Sequence, residues 1–168
     1  MKIGKLDVDL EELQHFVVKA KKNGYASGKK KLIEIDGSKT FVFQEGNFHY
    51  TDNYAGSYQA PGNEIIRWGK KDGQRIWCMS YSGGMLPKYW NNIELTKKTY
   101  EFLKKVLMDV NFKHPFRGLP EHKSPDFIYN MNIKGDIKRF SGKEFIHSKK
   151  LEKIVFLQDF IGGLVIIK

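Results

Sequence analysis

The sequence has almost none of the features that mark secreted, membrane or metal-cluster proteins. Its 168 residues include a single cysteine, Cys78, which excludes an intrachain disulfide and a thiolate zinc cluster. No apolar run approaches the roughly 20 residues that a helix needs to cross a bilayer. The N-terminal stretch "MKIGKLDVDLEEL" also lacks the hydrophobic region of a signal peptide. These absences predict a cytoplasmic protein that has no membrane partner.

The motifs of cofactor-dependent and metal-dependent enzymes are missing as well. The chain contains no G-x-x-x-x-G-K-[ST] phosphate loop and no G-x-G-x-x-G after a predicted strand. Its 5 histidines show neither H-x3-H nor H-E-x-x-H spacing. Cys78, Ser80 and Ser82 have no G-x-S-x-G elbow that would activate a nucleophile. We therefore expect no cofactor, no metal and no catalytic residue of these kinds.

Arginine is scarce although the chain is strongly basic. The formal net charge is +10, and only 4 of the 29 basic residues are arginine. A basic protein is drawn to phosphates, so a nucleic-acid-binding accessory protein that uses its lysine-rich surface is one alternative function. Base and phosphate recognition favours the planar arginine fork, however, and the lysines are spread along the chain. A solvated lysine surface is the plainer interpretation.

What the chain does have is enough apolar material for a core and clear helical patterns. Hydrophobic residues make up 40% of the sequence and aromatic residues 14%, which argues against disorder. Asp9 precedes "LEELQHFVVKAKK" and is suited to cap this predicted helix, which Asn23-Gly24 would end. A second amphipathic helix is predicted in "LTKKTYEFLKKVLMDV".

Strand patterns follow each predicted helix. In the first half they are "TFVFQ", "NFHYTDNY", "NEIIRWG" and "QRIWCMSYS", and Gly46 is predicted to turn the chain between the first two. Asp72-Gly73 predicts a hairpin with a type I′ turn between the last two. In the second half the patterns are "FIYNMNI", "KEFIHSK" and "KIVFLQDF".

The two halves also resemble each other. "YSGGM" at residues 81–85 recurs as "FIGGL" at residues 160–164, and each is preceded by F-x-Y-x5-G and then by G-x-E-x-I. The shift is 79 residues between Phe48 and Phe127 and 80 between Glu64 and Glu144, a slip that a loop tolerates. We read the glycine pairs as strand positions where another backbone approaches or φ is positive, and not as catalytic loops.

The repeat predicts the domain organisation and fold class. One domain of residues 1–168 is expected, built from two repeats at about 9–86 and 93–168. Each repeat is predicted as an α-β-β-β unit, and the two are related by pseudo-twofold symmetry. The expected class is α+β, with an antiparallel curved sheet or partial barrel and two packed helices.

Comparison of the repeats indicates a site. The first repeat carries polar or amphipathic side chains at Asp52, Tyr54, Trp77 and Tyr81. The residues 79 positions on are Met131, Ile133, Phe156 and Phe160. An aromatic pocket with a few polar groups is typical of a small-molecule site, although a more exposed face would show the same pattern. The candidate ligand-binding residues are Tyr50, Asp52, Tyr54, Glu64, Trp68, Trp77 and Tyr81.

The sequence resembles a bacterial and archaeal family, domain of unknown function 5680. The resemblance rests on "FVVKAKKNGYASG", "EGNFHYTDNYAG", "GNEIIRW", "RIWCMSYSGGM", "HPFRG", "GDIKRFSGKEFI" and "IGGL". Members of that family are either free-standing or fused behind an XRE-type helix-turn-helix, which implies an effector or sensing module. Here the module starts at about residue 9 and the sequence carries no helix-turn-helix, so no direct reading of DNA is expected.

Three functions remain open from the sequence. The leading one is a non-catalytic binding or sensing module for a small molecule or a protein partner, and the nucleic-acid accessory described above is the second. The third is a hydrolase-type enzyme, in which Asp52 and Glu64 would divide the roles of acid and base. The recurrence of Glu64 as Glu144 favours a salt bridge or a cap at that position. Oligomeric state is not determined by any of these patterns.

Overall fold

The computed structural model describes residues 1–24 and 31–167 of the chain. Two helices carry the apolar stripes predicted for them. Helix α1 spans Leu10–Asn23, and the Asp9 carboxylate caps it by accepting hydrogen bonds from the backbone N–H groups of Glu11 and Glu12. Helix α2 spans Ile93–Met108 and is capped by the Asn92 side chain. Both helices were predicted correctly, and so was the Asp9 cap.

Eleven strands accompany the helices in the residues that the structure describes. Their bounds are β1 Lys2–Ile3, β2 Leu6–Asp7, β3 Leu32–Ile33, β4 Lys39–Glu45, β5 Phe48–Tyr54, β6 Gly62–Trp68, β7 Arg75–Met85, β8 Glu121–Lys123, β9 Phe127–Asp136, β10 Arg139–Ser148 and β11 Lys153–Leu164. Strands β1 and β2 form a small hairpin beside the main sheet. The short strand β8 was not predicted, because "EHK" carries neither apolar alternation nor a β-branched residue.

The main sheet contains nine strands in the order β3-β4-β5-β6-β7-β11-β10-β9-β8, and every neighbouring pair is antiparallel. Strands β7 and β11 meet at its centre, where Tyr81 is paired with Phe160. The predicted α+β class is thus confirmed, with two helices and a large antiparallel sheet. The sheet is open between its edge strands β3 and β8 in the described part of the chain, so it does not close into a barrel.

Both helices pack on the same face of the sheet. Phe16 of α1 lies 5.0 Å from Phe48 of β5, measured between ring centres. Phe102 of α2 lies 5.4 Å from Phe127 of β9 in the same way. Alternate residues of the long strands therefore enter one core between helices and sheet, and the fully buried Trp77 belongs to it. Neither helix of the described residues is long and apolar enough to cross a bilayer.

The glycine pairs lie inside the central ladder. Gly84 has φ +150°, and a Cβ there would stand 2.2 Å from the carbonyl oxygen of Tyr58, on a segment that crosses the end of β7. Gly163 has φ +152°, and a Cβ there would stand 2.3 Å from the carbonyl oxygen of Lys138. Both pairs are therefore positions of close backbone approach, as the sequence predicted.

The hairpin between β6 and β7 is present, but the type I′ turn predicted at Asp72-Gly73 is wrong. Residues 69–74 form the connection, which is longer than the two residues of that turn. Positive φ occurs at Gly69 (+78°), and neither Asp72 nor Gly73 has it. The prediction at Gly46 is confirmed, since this residue turns the chain between β4 and β5 with φ +56°.

We predict that Gly84→Ala destabilises the protein more than Gly46→Ala does. Both substitutions place a Cβ on a backbone with positive φ, but nothing lies within 4 Å of a Cβ at Gly46. Gly46→Ala should therefore cost about 1–2 kcal/mol of unfolding free energy from backbone strain alone. Gly84→Ala adds a collision with the Tyr58 carbonyl oxygen. Urea denaturation measures both variants, and an equal loss would contradict the close-approach role.

Candidate functional site

Asp52 and Glu64 lie directly opposite each other on β5 and β6. Their side chains enter the interior on the helix side of the sheet, and they are only 5% and 2% exposed. Two carboxyl groups buried side by side repel each other when both are ionised, so at least one needs a compensating cation or a proton. This juxtaposition was not predictable from the sequence, because strand register was unknown.

Lys21 supplies the cation for Glu64. It projects from the last turn of α1, and its ammonium Nζ donates a hydrogen bond to Glu64 Oε2 in a buried ion pair. Burial lowers the pKa of Lys21, while the Glu64 carboxylate acts in the opposite direction. The predicted salt bridge at the repeated glutamate is therefore present.

Asp52 has a hydrogen bond from a phenol. The Tyr81 hydroxyl of β7 donates to Asp52 Oδ1 at 2.7 Å. Burial, reinforced by the charge of Glu64, raises the pKa of Asp52 to about 7, although the Tyr81 hydrogen bond and the charge of Lys21 act to lower it. Burial likewise raises the pKa of Tyr81 above its ordinary value. Asp52 can thus gain or lose its proton near neutral pH.

A second buried network holds the repeated glutamate of β10. Arg117 donates to Glu144 Oε1 through Nε at 3.1 Å and through a terminal nitrogen at 2.7 Å. Tyr129 and Gln158 also donate to this carboxylate, at 2.7 and 3.0 Å. Burial acts to lower the pKa of Arg117, but the Glu144 charge and hydrogen bonds hold it above its usual value. The guanidinium also lies over the Tyr81 ring, 5.5 Å from its centre, and so connects the two networks.

A cavity of about 230 Å³ opens beside these groups, between the helices and the β4–β7 half of the sheet. Its lining residues are Lys21, Lys31, Lys39, Tyr50, Asp52, Tyr54, Gly56, Ser57, Ala60, Glu64, Tyr81, Tyr100, Leu103, Lys104, Leu107, Phe116, Arg117 and Gln158. Asp52 and Glu64 are buried at the floor, whereas Lys31 and Lys104 are exposed at the mouth. The cavity therefore combines apolar walls, a carboxyl floor and a basic rim.

Five of the seven residues proposed from the sequence line this cavity, namely Tyr50, Asp52, Tyr54, Glu64 and Tyr81. Trp68 and Trp77 do not line it. Trp77 is completely buried in the core, where its indole N–H donates to the carbonyl oxygen of Ile137 at 3.2 Å. Trp68 packs edge-on against Phe48, with 5.4 Å between ring centres. Indole size and polarity alone did not distinguish core tryptophans from a pocket wall.

The sequence analysis missed the cationic half of the site. The sequence analysis assigned the lysines together to a solvated surface, yet Lys21 stands four residues after the buried Val17 and so falls on the apolar stripe. That spacing was a usable signal. Arg117 comes from the loop between α2 and β8, and the scarcity of arginine was the only hint of a special role. Lys31, Lys39 and Lys104 come from separate segments, so only the fold brings them together.

We predict that Asp52→Asn makes the protein more stable than the parent at pH 8 and leaves it nearly unchanged at pH 4. The folded-state pKa of about 7 lies above the ordinary 3.8, so the native state holds this proton more tightly than the unfolded chain. The stability that this proton provides is complete below pH 3.8 and is lost as pH rises through about 7. The variant removes the penalty of ionisation, worth roughly 2–4 kcal/mol at pH 8.

Guanidinium denaturation at a series of pH values measures this difference. The matched control is Asp159→Asn, whose carboxylate is 61% exposed and pairs with Lys143. We expect its stability curve to run parallel to that of the parent. A parallel curve for Asp52→Asn as well would contradict the proton-holding role of Asp52.

We predict a strong coupling between Lys21 and Glu64. Lys21→Met should cost about 3–5 kcal/mol of unfolding free energy, because it leaves the Glu64 carboxylate buried beside Asp52 without its cation. Adding Glu64→Gln should recover most of this loss, since the remaining amide carries no charge. A double-mutant cycle by denaturation at pH 7 measures the coupling, and additive losses would contradict the buried pair.

Comparison with known proteins gives a family but no function. No curated protein and no solved structure matches the chain. A family model, described as a domain of unknown function (DUF5680), matches residues 52–165. The matched part includes Asp52, Glu64, Tyr81, Arg117 and Glu144, while Lys21 precedes it. Since the match spans well over half of the chain, the protein belongs to the DUF5680 family.

Proposed function

We propose that this chain is a non-catalytic binding or sensing module that holds a small molecule in the 230 Å³ cavity. One observation carries the proposal: the Asp52 carboxyl and the Tyr81 hydroxyl stand hydrogen-bonded to each other at the floor of a recessed space that has apolar and aromatic walls. A few converging polar groups in an apolar pocket are what fixes a ligand's orientation. The groups are recessed, which favours a small molecule over a protein or nucleic-acid surface.

The walls support the same conclusion. Leu103 and Leu107 of α2 face Phe116, and all three are less than 10% exposed although they border the cavity. Tyr54 and Tyr100 add aromatic rings, and burial raises the pKa of each phenol to about 12, so both stay neutral hydrogen-bonding groups. Burying a ligand against such walls provides roughly 25 cal/mol for each Å² of apolar surface removed from water.

The second half of the chain has Met131 and Phe160 at the positions that correspond to Asp52 and Tyr81. We further propose that the halves are two copies of one unit that diverged at the site. Support comes from matching contacts: a Cβ at Gly62 would meet Tyr81, and a Cβ at Gly142 would meet Phe160. Tyr129 donates to Glu144 as Tyr50 stands beside Glu64. A crystal structure tests this, because the copies should superpose after a rotation of about 180°.

We predict that protein purified gently from cells retains a small molecule that native mass spectrometry detects as excess mass, and that this mass is lost on denaturation. Leu103→Trp should abolish the retention, because the larger side chain on α2 fills the cavity. Val42→Trp is the matched control, since Val42 is 48% exposed on β4 and does not line the cavity. Retention by the Leu103→Trp variant equal to the control would contradict the proposed location of the ligand.

A hydrolase-type enzyme is the second candidate, and the pKa of Asp52 near 7 favours it. Glu64 is occupied by Lys21, which leaves Asp52 as the group able to exchange a proton with a bound substrate. Hydrolysis of chromogenic phosphate and carboxylate esters tests this candidate. A rate whose pH dependence is centred near 7 and is lost in Asp52→Asn would establish catalysis, and absence of hydrolysis would leave the binding role.

A further inference from the structure

Three lysines from separate segments border the mouth of the cavity: Lys31 before β3, Lys39 at the start of β4 and Lys104 on α2. The Lys39 ammonium lies 5.4 Å from the centre of the Tyr54 ring, which holds this charge against the cavity wall. Burial together with the charges of Lys39 and Lys104 lowers the pKa of Lys31. Like charges brought together in this way favour a bound anion, which would reduce their mutual repulsion.

The floor has the opposite character. Asp52 and Glu64 present carboxyl oxygens, and Lys21 neutralises only one of the two. Arg117 also borders the cavity, and two of its N–H groups donate to Glu144, which holds its charge toward that carboxylate. A ligand group that donates N–H hydrogen bonds suits Asp52, because an ionised carboxylate is an acceptor only. The cavity is thus polarised from an accepting floor to a cationic mouth.

The volume of the cavity and its aromatic walls limit which ligands could reach from the floor to the mouth. A volume of 230 Å³ equals that of about seven or eight liquid waters. This is room for one ring with short substituents. The rings of Tyr54, Tyr100 and Phe116 border the space and favour stacked or edge-on contact with an aromatic ring.

On the basis of the proposed function, we propose that the ligand is a single-ring aromatic compound with an N–H donor at one end and an anionic group at the other. The N–H end contacts Asp52 at the floor, the ring lies between α2 and the aromatic walls, and the anion lies among Lys31, Lys39 and Lys104. A phosphate, phosphonate or carboxylate group could each serve as the anion that binds these three lysines.

Matched probes test the two ends separately. The four compounds are 4-aminobenzylphosphonate, its carboxylate counterpart 4-aminophenylacetate, the uncharged 4-ethylaniline, and benzylphosphonate, which lacks the amine. Isothermal titration calorimetry at low ionic strength gives the Kd of each for the full chain. We expect the two anionic amines to bind about tenfold more tightly than 4-ethylaniline, since three partly exposed charge pairs each contribute a fraction of a kcal/mol or somewhat more.

Variants at the mouth and at the floor of the cavity should alter the relative affinities of different pairs of probes. In Lys31→Gln/Lys39→Gln/Lys104→Gln, the advantage of the anionic amines over 4-ethylaniline should disappear while 4-ethylaniline binds as before. The control Lys138→Gln/Lys149→Gln/Lys153→Gln removes the same charge from residues that do not line the cavity, and it should keep the advantage. In Asp52→Leu, the preference for 4-aminobenzylphosphonate over benzylphosphonate should be lost.

The outcomes separate this inference from the proposed function. If 4-ethylaniline binds, Leu103→Trp blocks it and the anionic amines gain nothing, the cavity binds ligands but the anion site is wrong. An equal loss in the two triple-lysine variants would show only general electrostatic attraction, and it too would overturn the anion site. If none of the four probes binds in a way that Leu103→Trp blocks, this inference is overturned, and the retention experiment with Leu103→Trp decides the proposed function.

Discussion

The burial of the Asp52–Glu64 carboxyl pair is the constraint on which the rest of this structure depends. Two acidic groups opposite each other on neighbouring strands cannot both be ionised in the interior without compensation. The compensation comes from three other elements: Lys21 on α1, Tyr81 on β7 and, through its position over the Tyr81 ring, Arg117 from the loop after α2. The Lys21–Glu64 ion pair thus links the position of α1 to the β5–β6 register that places Glu64 opposite Asp52.

The same constraint explains why the first half of the sheet contains a cavity. Polar side chains whose hydrogen bonds fix their direction cannot repack to fill space as aliphatic chains do. At the positions 79 residues later, Met131 and Phe160 are buried and apolar, and Phe160 packs against Phe140 with 6.3 Å between ring centres. The cavity of about 230 Å³ lies instead beside the polar groups of the first half.

The structural features that were predicted correctly are those that neighbouring residues in the sequence determine. The Asp9 cap, the helix stripes, most strands and the glycine pairs depend on residues near in sequence, and these were predicted correctly, whereas the Asn92 cap of α2 was not predicted. The Asp72-Gly73 turn was wrong because a longer connection competes with the two-residue turn, and Gly69 takes the positive φ. Asp52, Tyr54 and Tyr81 emerged because the two halves differ there in polarity. The roles of Arg117 and the mouth lysines did not emerge, since they arise from strand order and helix placement, which no local pattern contains.

The tryptophans show that a difference in polarity between the halves does not by itself place a residue at the cavity. Trp77 and Tyr81 belong to the same strand and face the same side, yet Trp77 fills the core and only Tyr81 borders the cavity. The indole N–H of Trp77 donates its hydrogen bond to the backbone carbonyl oxygen of Ile137 in the second half of the chain. Tyr81 shares its hydrogen bond with a carboxyl group whose protonation state varies near neutral pH. The Tyr81 ring also lies under the Arg117 guanidinium, which pairs with Glu144, so the two buried networks are in contact.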